Sequence, residues 1–256
     1  MILTEENNTP NAEMPEGMPE GTPGVARKVI KGTPEREALL ERRTLVDRTD
    51  MRAIWERKPL AYKAAKRAFD ISSSAAALVA LSPLMAGTAM AIMLEDGRPV
   101  IYAAQRPGRD MKPFPMYKFR SMFKDADQRL AELLKDNEQY GAAFKIKNDP
   151  RITKVGKFIR KVSIDELPQL LNILKGEMSV VGPRAIVSTR PFTPYEEQRQ
   201  IVRPGLTCYW QIAGRSNIPW EEWVELDLDY IQDASAMTDL RIILETLPAL
   251  MGRGAY

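Results

Sequence analysis

The sequence predicts an α+β fold: a broken re-entrant membrane helix joined to a small cytoplasmic domain of surface helices and a short β-hairpin. Three observations point there. Residues 71–94 form an unbroken run of 24 residues without a charge. Two β-patterned stretches, 99–105 and 114–121, flank a turn-rich RPGRDMKP. Helix-patterned segments then follow at 125–139 and after Pro168.

The composition sets limits on what such a fold can do. At 256 residues the chain has room for one or two domains. With 44% hydrophobic and 28% charged residues it can bury a real core. A mean hydropathy of −0.32 excludes a polytopic membrane protein and leaves room for a single membrane segment. The chain contains no His and one Cys, Cys208. It therefore cannot build a Ser-His-Asp triad, a Cys-His pair, a His-based zinc site or an internal disulfide. Chemistry must come from carboxylates, hydroxyls, Lys, Arg, backbone amides and a hard metal ion held by oxygen.

The formal charge of +3 hides an asymmetry, because residues 1–50 carry 7 Lys/Arg against 10 Asp/Glu and the remainder is net basic. A basic body suits an anionic partner, which charge alone leaves open among nucleic acid, phospholipid headgroups and phosphorylated small molecules. Residues 1–32 read as an acidic disordered tail: residues 1–24 hold five Glu, four Pro and three Gly with no Lys or Arg. That stretch has neither the basic start nor the apolar middle of a secretory signal. Residues 33–61 read as an N-terminal helical segment opened by Thr33, Pro34, Glu35 and Glu37. A main domain then covers 62–256.

Within it, a membrane helix is expected at about 68–95. Its nearly wholly apolar part, 75–94, would span about 30 Å as a helix, close to the hydrocarbon thickness. A buried helix of a soluble domain is the competing reading, disfavoured because such helices keep a polar face. Pro83, preceded by Ser82, is expected to kink or break the helix. Basic residues stand on both flanks: Arg57, Lys58, Lys63, Lys66 and Arg67 before, Arg98, Arg106, Arg109 and Lys112 after. The positive-inside rule needs a contrast between the two ends. A re-entrant helix broken at Ser82-Pro83, with both ends cytoplasmic, satisfies both facts better than a straight span. After the hairpin, 125–139 reads as a charge-laced amphipathic helix. Residues 145–161 then pack seven basic side chains against one acidic, a pattern that by itself favours a solvated or headgroup-facing surface.

The next segment, SIDELPQLLNILKG from Ser163, carries the chemistry. A capping box from Ser163 to Glu166 would bury Pro168 inside a helix, so a helix that begins at Pro168 fits better. Asp165 and Glu166 then lie just ahead of a helix N-terminus. The dipole and nearby Arg and Lys should hold both ionised. Such carboxylates are poor general acids but usable as a nucleophile or as Mg²⁺ ligands. A short apolar strand and a Gly-Pro turn follow, and they should return Arg184, a bidentate phosphate binder, to the same neighbourhood.

FDISSSAAALVALSPL, GRPVIYAAQRPGRDMKPFPMYKFRSM, DPRITKVGKFIRKVSIDELPQLLNILKGEMSVVGPR and RPGLTCYWQIAGRS occur in this order. Together they resemble the bacterial sugar transferases, monotopic polyprenyl-phosphate hexose-1-phosphate transferases of exopolysaccharide and glycan assembly. The likeness covers about residues 62–256. It implies that Asp165 is a nucleophile which attacks the sugar-side phosphorus of a UDP-sugar, releases UMP and holds the sugar phosphate until undecaprenyl phosphate takes it. Glu166 would be its dyad partner, sharing Mg²⁺ with Asp165. Lys118, Arg120, Arg160 and Arg184 would bind phosphate, and Ser82-Pro83 would match the family's helix break. Asp229 and Asp239 fall in the family's LDLDYI and DLRI stretches. Cys208 and Ala185 stand where Gly and Pro are usual. The resemblance also implies a short form of the family at the inner face of the bacterial cytoplasmic membrane. Glucose or galactose phosphate are the favoured cargoes, and a homodimer is compatible.

Two other readings compete. A glycosyltransferase that releases UDP could use Asp125-Ala-Asp127 or Asp227-Leu-Asp229 as an Asp-x-Asp metal motif. A non-catalytic membrane scaffold would use the basic surface to bind anionic lipid. Nucleic-acid binding has no motif here and leaves the apolar segment unexplained. Tyr209, Trp210, Trp220, Trp223 and Tyr230 suit a membrane interface or an ordinary core about equally. Residues 235–252 form another amphipathic candidate.

Overall fold

The computed structural model describes residues 50–126, 149–186, 191–213 and 220–251. The acidic tail, most of the 33–61 segment, nearly all of the 125–139 helix and the start of the basic run lie outside the described residues. What is described is mixed helix and strand, as expected.

Asp50 accepts a hydrogen bond from the Ala53 amide and opens a short helix, α1 (Met51–Glu56). The next helix, α2 (Leu60–Asp96), has 37 residues and a length of about 55 Å. It ends at Gly97, whose φ of 69° is open to glycine at little cost. The helix is continuous through Pro83, so of the expected kink or break at Ser82-Pro83 the break is not there. The physical reason is local. Proline cannot donate to the Val79 carbonyl, and the Ser82 hydroxyl donates to that carbonyl instead, at 2.8 Å.

The burial of α2 is inside out. Its buried residues are Asp70, Ser74, Thr88 and Ile92, whereas Val79 and Leu94 are 77% and 79% exposed. A core helix would bury the apolar set. This one is long and apolar enough to cross a membrane and turns its apolar side chains outward. Its polar side is anchored to the domain. Asp70 Oδ1 accepts from the Ser179 hydroxyl (3.0 Å) and the Val180 amide (2.8 Å). Glu95 accepts from the Lys154 and Val155 amides, at 2.8 and 3.0 Å, which caps the next helix of the chain.

The expected hairpin is present. Strands β1 (Ile101–Pro107) and β2 (Pro113–Phe119) pair antiparallel, from Ile101 opposite Phe119 to Pro107 opposite Pro113. Helix α3 (Lys154–Lys161) follows, capped by Thr153. A left-handed Ser163 (φ 57°) then turns the chain into a 3₁₀ turn at Ile164–Glu166. Helix α4 (Gln169–Lys175) starts directly after Pro168, which supports the late start over the Ser163 capping box. Strand β3 (Ser179–Val181) pairs in parallel with β4 (Gly205–Thr207). Between them lie α5 (Pro194–Glu197), which has its own Thr193–Glu196 capping box, and a 3₁₀ turn at Gln198–Ile201. Helices α6 (Tyr209–Ala213), α7 (Trp220–Asp233) and α8 (Ala236–Met251) close the fold.

The largest core cluster contains Trp210, Trp220, Trp223 and Tyr230, so these aromatics are interior rather than interfacial. Trp210 stacks on Trp223 at 4.5 Å between ring centres. Asp239 is a clamp. It accepts from Tyr62 (3.0 Å) and Tyr230 (2.9 Å) and pairs with Lys66 (2.9 Å), tying α8 and α7 to the first turns of α2. Helix α8 exposes Met237, Leu240 and Leu244.

Candidate active site

The 3₁₀ turn, the end of β2, the Gly-Pro-Arg loop after β3 and the start of α6 converge on one cleft of about 600 Å³. Asp165 and Glu166 form its floor beside Lys118, Arg160, Arg184 and Trp210. Lys118 arrives from β2, whose alternation turns it towards the dyad. Arg184 arrives because the chain turns at Gly182-Pro183, where it packs on the Arg203-Pro204-Gly205 backbone. A Cβ on Gly182 would meet the Arg203 carbonyl oxygen at 2.4 Å. Arg160 arrives along α3, which crosses the Ser121 backbone so closely that a Cβ on Gly156 would lie 2.0 Å from the Ser121 carbonyl oxygen.

The two carboxylates have unlike surroundings. Glu166 Oε1 accepts from Lys118 Nζ at 2.9 Å and from Arg184 Nη2 at 2.7 Å. Burial opposes its charge, but Arg184 and Lys118 more than offset that and hold its carboxyl well below the usual range. Asp165 is 7% exposed, with Lys118 Nζ 3.9 Å away, and it has no hydrogen bond to a described residue. Its pKa is raised, first by burial and further by the Glu166 charge, with Lys118 opposing. The sequence expectation that both would be lowered therefore holds for Glu166 alone, because burial outweighs the more distant Lys118 at Asp165, while two hydrogen-bonded cations outweigh it at Glu166. Arg184 is itself fixed by stacking its guanidinium 5.0 Å from the Trp210 ring centre. Arg160 Nε donates to the Ser121 hydroxyl at 2.7 Å.

Lys118, Arg160 and Arg184 thus meet around the dyad as expected. Arg120 stands at the cleft wall, but its guanidinium turns to the end of α2, where Nη2 lies 3.0 Å from the Asp96 carbonyl and 2.8 Å from that of Gly97. Alternation from Lys118 does not extend to it because β2 ends at Phe119. Ser82 and Pro83 lie in α2, away from the cleft. Sequence reasoning did not single out Arg106 and Trp210 as site residues, though both line the cleft. Arg106 was legible in principle, since it lies on the face of β1 shared with Tyr102 and Ala104.

The alternative Asp227-Leu-Asp229 motif is not a metal site. Both residues are buried in α7, where Asp227 pairs with the buried Arg199. Asp127 lies outside the described residues.

The family model for bacterial sugar transferases matches residues 61–253. The chain belongs to the bacterial sugar transferase family. It is 44% identical over 195 residues to the galactosyl transferase CpsE of Streptococcus agalactiae, covering 75% of this chain and 43% of that protein. It is 40% identical over 199 residues to the exopolysaccharide production protein ExoY of Sinorhizobium fredii, covering 75% and 88%. It is 43% identical over 198 residues to the undecaprenyl-phosphate galactose phosphotransferase of Salmonella typhimurium, covering 75% and 41%. The chain thus spans less than half of two of these relatives and most of the third.

Proposed function

We propose that this protein transfers a hexose 1-phosphate from a UDP-sugar to undecaprenyl phosphate or a related polyprenyl phosphate, forming a polyprenyl diphospho-sugar and UMP. The observation that carries the reading is the asymmetry of the dyad. Glu166 is tied to two cations, while Asp165 faces the same cleft with no hydrogen bond to a described residue. A nucleophile has to be the unencumbered member.

The Asp165 carboxylate oxygen attacks the sugar-side phosphorus, and the bond between that phosphorus and the bridging oxygen breaks. UMP leaves with that oxygen and its electron pair. The sugar phosphate remains on Asp165 as an acyl phosphate, and an oxygen of the polyprenyl phosphate then attacks the same phosphorus and frees the carboxylate. Lys118 and Arg184 hold Glu166 in place and present positive charge where phosphate charge accumulates, as phosphoryl transfer requires. No proton shuttle is needed, so a site without histidine is adequate.

Among the described residues no group of three His, Cys, Asp or Glu converges to make an all-protein metal cage. Asp165 and the Glu166 oxygen not bonded to Lys118 and Arg184 would be the groups to hold a Mg²⁺ ion, which would neutralise diphosphate charge. The outward apolar side of α2 supports membrane seating, with the catalytic domain on the cytoplasmic side and both ends of the apolar stretch there. A re-entrant path would need the Ser82-Pro83 position to bend. The galactosyl and galactose phosphotransferase relatives favour galactose as the sugar, and ExoY favours exopolysaccharide as the destination.

The test is product analysis with detergent-solubilised protein, undecaprenyl phosphate, Mg²⁺ and a panel of UDP-sugars. UMP release with one sugar is expected, and it should vanish in the near-isosteric Asp165→Asn. Release of UDP, or undiminished transfer by Asp165→Asn, contradicts the reading.

A further inference from the structure

Most of the cations lining the cleft already have a partner. Lys118 and Arg184 bind Glu166, Arg160 binds Ser121, and Arg120 binds the end of α2. Arg106 does not. Its Nε is buried without a hydrogen bond, and the side chain makes no ion pair with a described residue. Burial lowers its pKa, Tyr102 opposes that, and the nearby Arg184 charge adds to the lowering. A guanidinium held in this way destabilises the empty protein, since a buried donor without a partner costs more than a normal hydrogen bond returns. It joins no two elements of the fold, so packing alone gives no reason for its charge.

The hairpin register indicates which anion it meets. Tyr102 lies opposite Lys118, and Arg106 lies opposite Phe114, four residues further along β1. Arg106 is therefore displaced by about 13 Å along the strand from the Lys118 position. The displacement runs away from the end of the hairpin that joins α2, where Leu94 and Ile101 are exposed. On the transfer reading, the lipid phosphate would enter from that end. The far side of the cleft is left for the nucleotide.

We propose that Arg106 is a positioning residue that grips the phosphate of the leaving nucleoside monophosphate. The inference rests on the transfer reading above and gives it a direction: sugar phosphate at the dyad, nucleotide towards Arg106, lipid from the α2 end.

The experiment compares wild type, Arg106→Gln and Arg106→Lys in three measurements: equilibrium binding of UMP, acceptor-free UMP release as a function of UDP-sugar, and dependence on polyprenyl phosphate. Arg106→Gln should weaken UMP binding and raise the half-saturating UDP-sugar concentration about 10- to 100-fold, the range for one charge-assisted hydrogen bond. Dependence on polyprenyl phosphate should stay unchanged, and the melting temperature of the unliganded protein should not fall, because Arg106→Gln removes a buried charge without a partner. Arg106→Lys should recover part of the loss, because it keeps the charge without the planar fork. Unchanged UMP binding, or an effect confined to polyprenyl phosphate, overturns the assignment, and so does a lowered melting temperature with normal UMP binding. UMP binding needs no turnover, so it judges Arg106 separately. Absence of UMP release by the wild type would count against the transfer reading instead.

Discussion

Asp165 and Glu166 are adjacent in sequence and share one cleft, yet only Glu166 hydrogen-bonds the cations, while Lys118 stands 3.9 Å from Asp165. The division comes from the 3₁₀ turn, which points Glu166 at Lys118 and Arg184 and leaves Asp165 facing open volume. Arg184→Gln should therefore reduce the acceptor-free rate of UMP release by about 10²–10³-fold, the usual loss when one charge-stabilising donor is removed. Rapid-quench kinetics checks this, and a change of under threefold would remove Arg184 from the transition state. Much of this site was legible in the sequence. The dyad followed from its place ahead of Pro168, and the return of Arg184 followed from the strand and Gly-Pro turn. Arg120, named through the family resemblance, does line the cleft, but the sequence could not show that its guanidinium turns to the Asp96 and Gly97 carbonyls at the end of α2. The split in charge state was not legible, since it depends on which carboxylate the cations reach.

At the scale of elements, α2 shows how a local rule can be overridden by a neighbouring side chain. Proline predicts a break, and the Ser82 hydroxyl fills the vacant bond at the Val79 carbonyl. The inside-out burial of α2 was only half visible, because the run of apolar residues conceals that Asp70, Ser74 and Thr88 are the ones facing the domain. The fate of the aromatics was not visible at all, for a Trp-rich helix has the same pattern in a core as at an interface. Two substitutions test the packing. Gly156→Ala would drive a methyl group into the Ser121 backbone and should cost about 1–3 kcal/mol in denaturant unfolding. It should also slow turnover, by shifting Arg160 from Ser121. Asp227→Ala would leave Arg199 buried without its carboxylate and should cost about 3–5 kcal/mol. A loss below 1 kcal/mol in either variant would contradict the packing described.

For the whole molecule, the question is how a basic domain and an outward-facing apolar helix sit at a bilayer. Cys208 makes this measurable. It is the one cysteine of the chain, 1% exposed, and burial pushes its thiol up to about 12. It should resist maleimide at pH 7–8 until the protein unfolds, because the thiolate is the reactive form. Cysteines introduced singly near the two ends of α2 should then report their own exposure in oriented membranes. Both should label from the cytoplasmic side, and labelling from opposite faces would establish a straight span. The most direct measurement of the central claim is the intact mass of the protein after incubation with UDP-sugar and Mg²⁺ in the absence of lipid acceptor. Wild type should gain one hexose phosphate, mapped to Asp165 and discharged by polyprenyl phosphate, while Asp165→Asn should gain none. Steady product formation with no adduct at Asp165 would contradict covalent transfer.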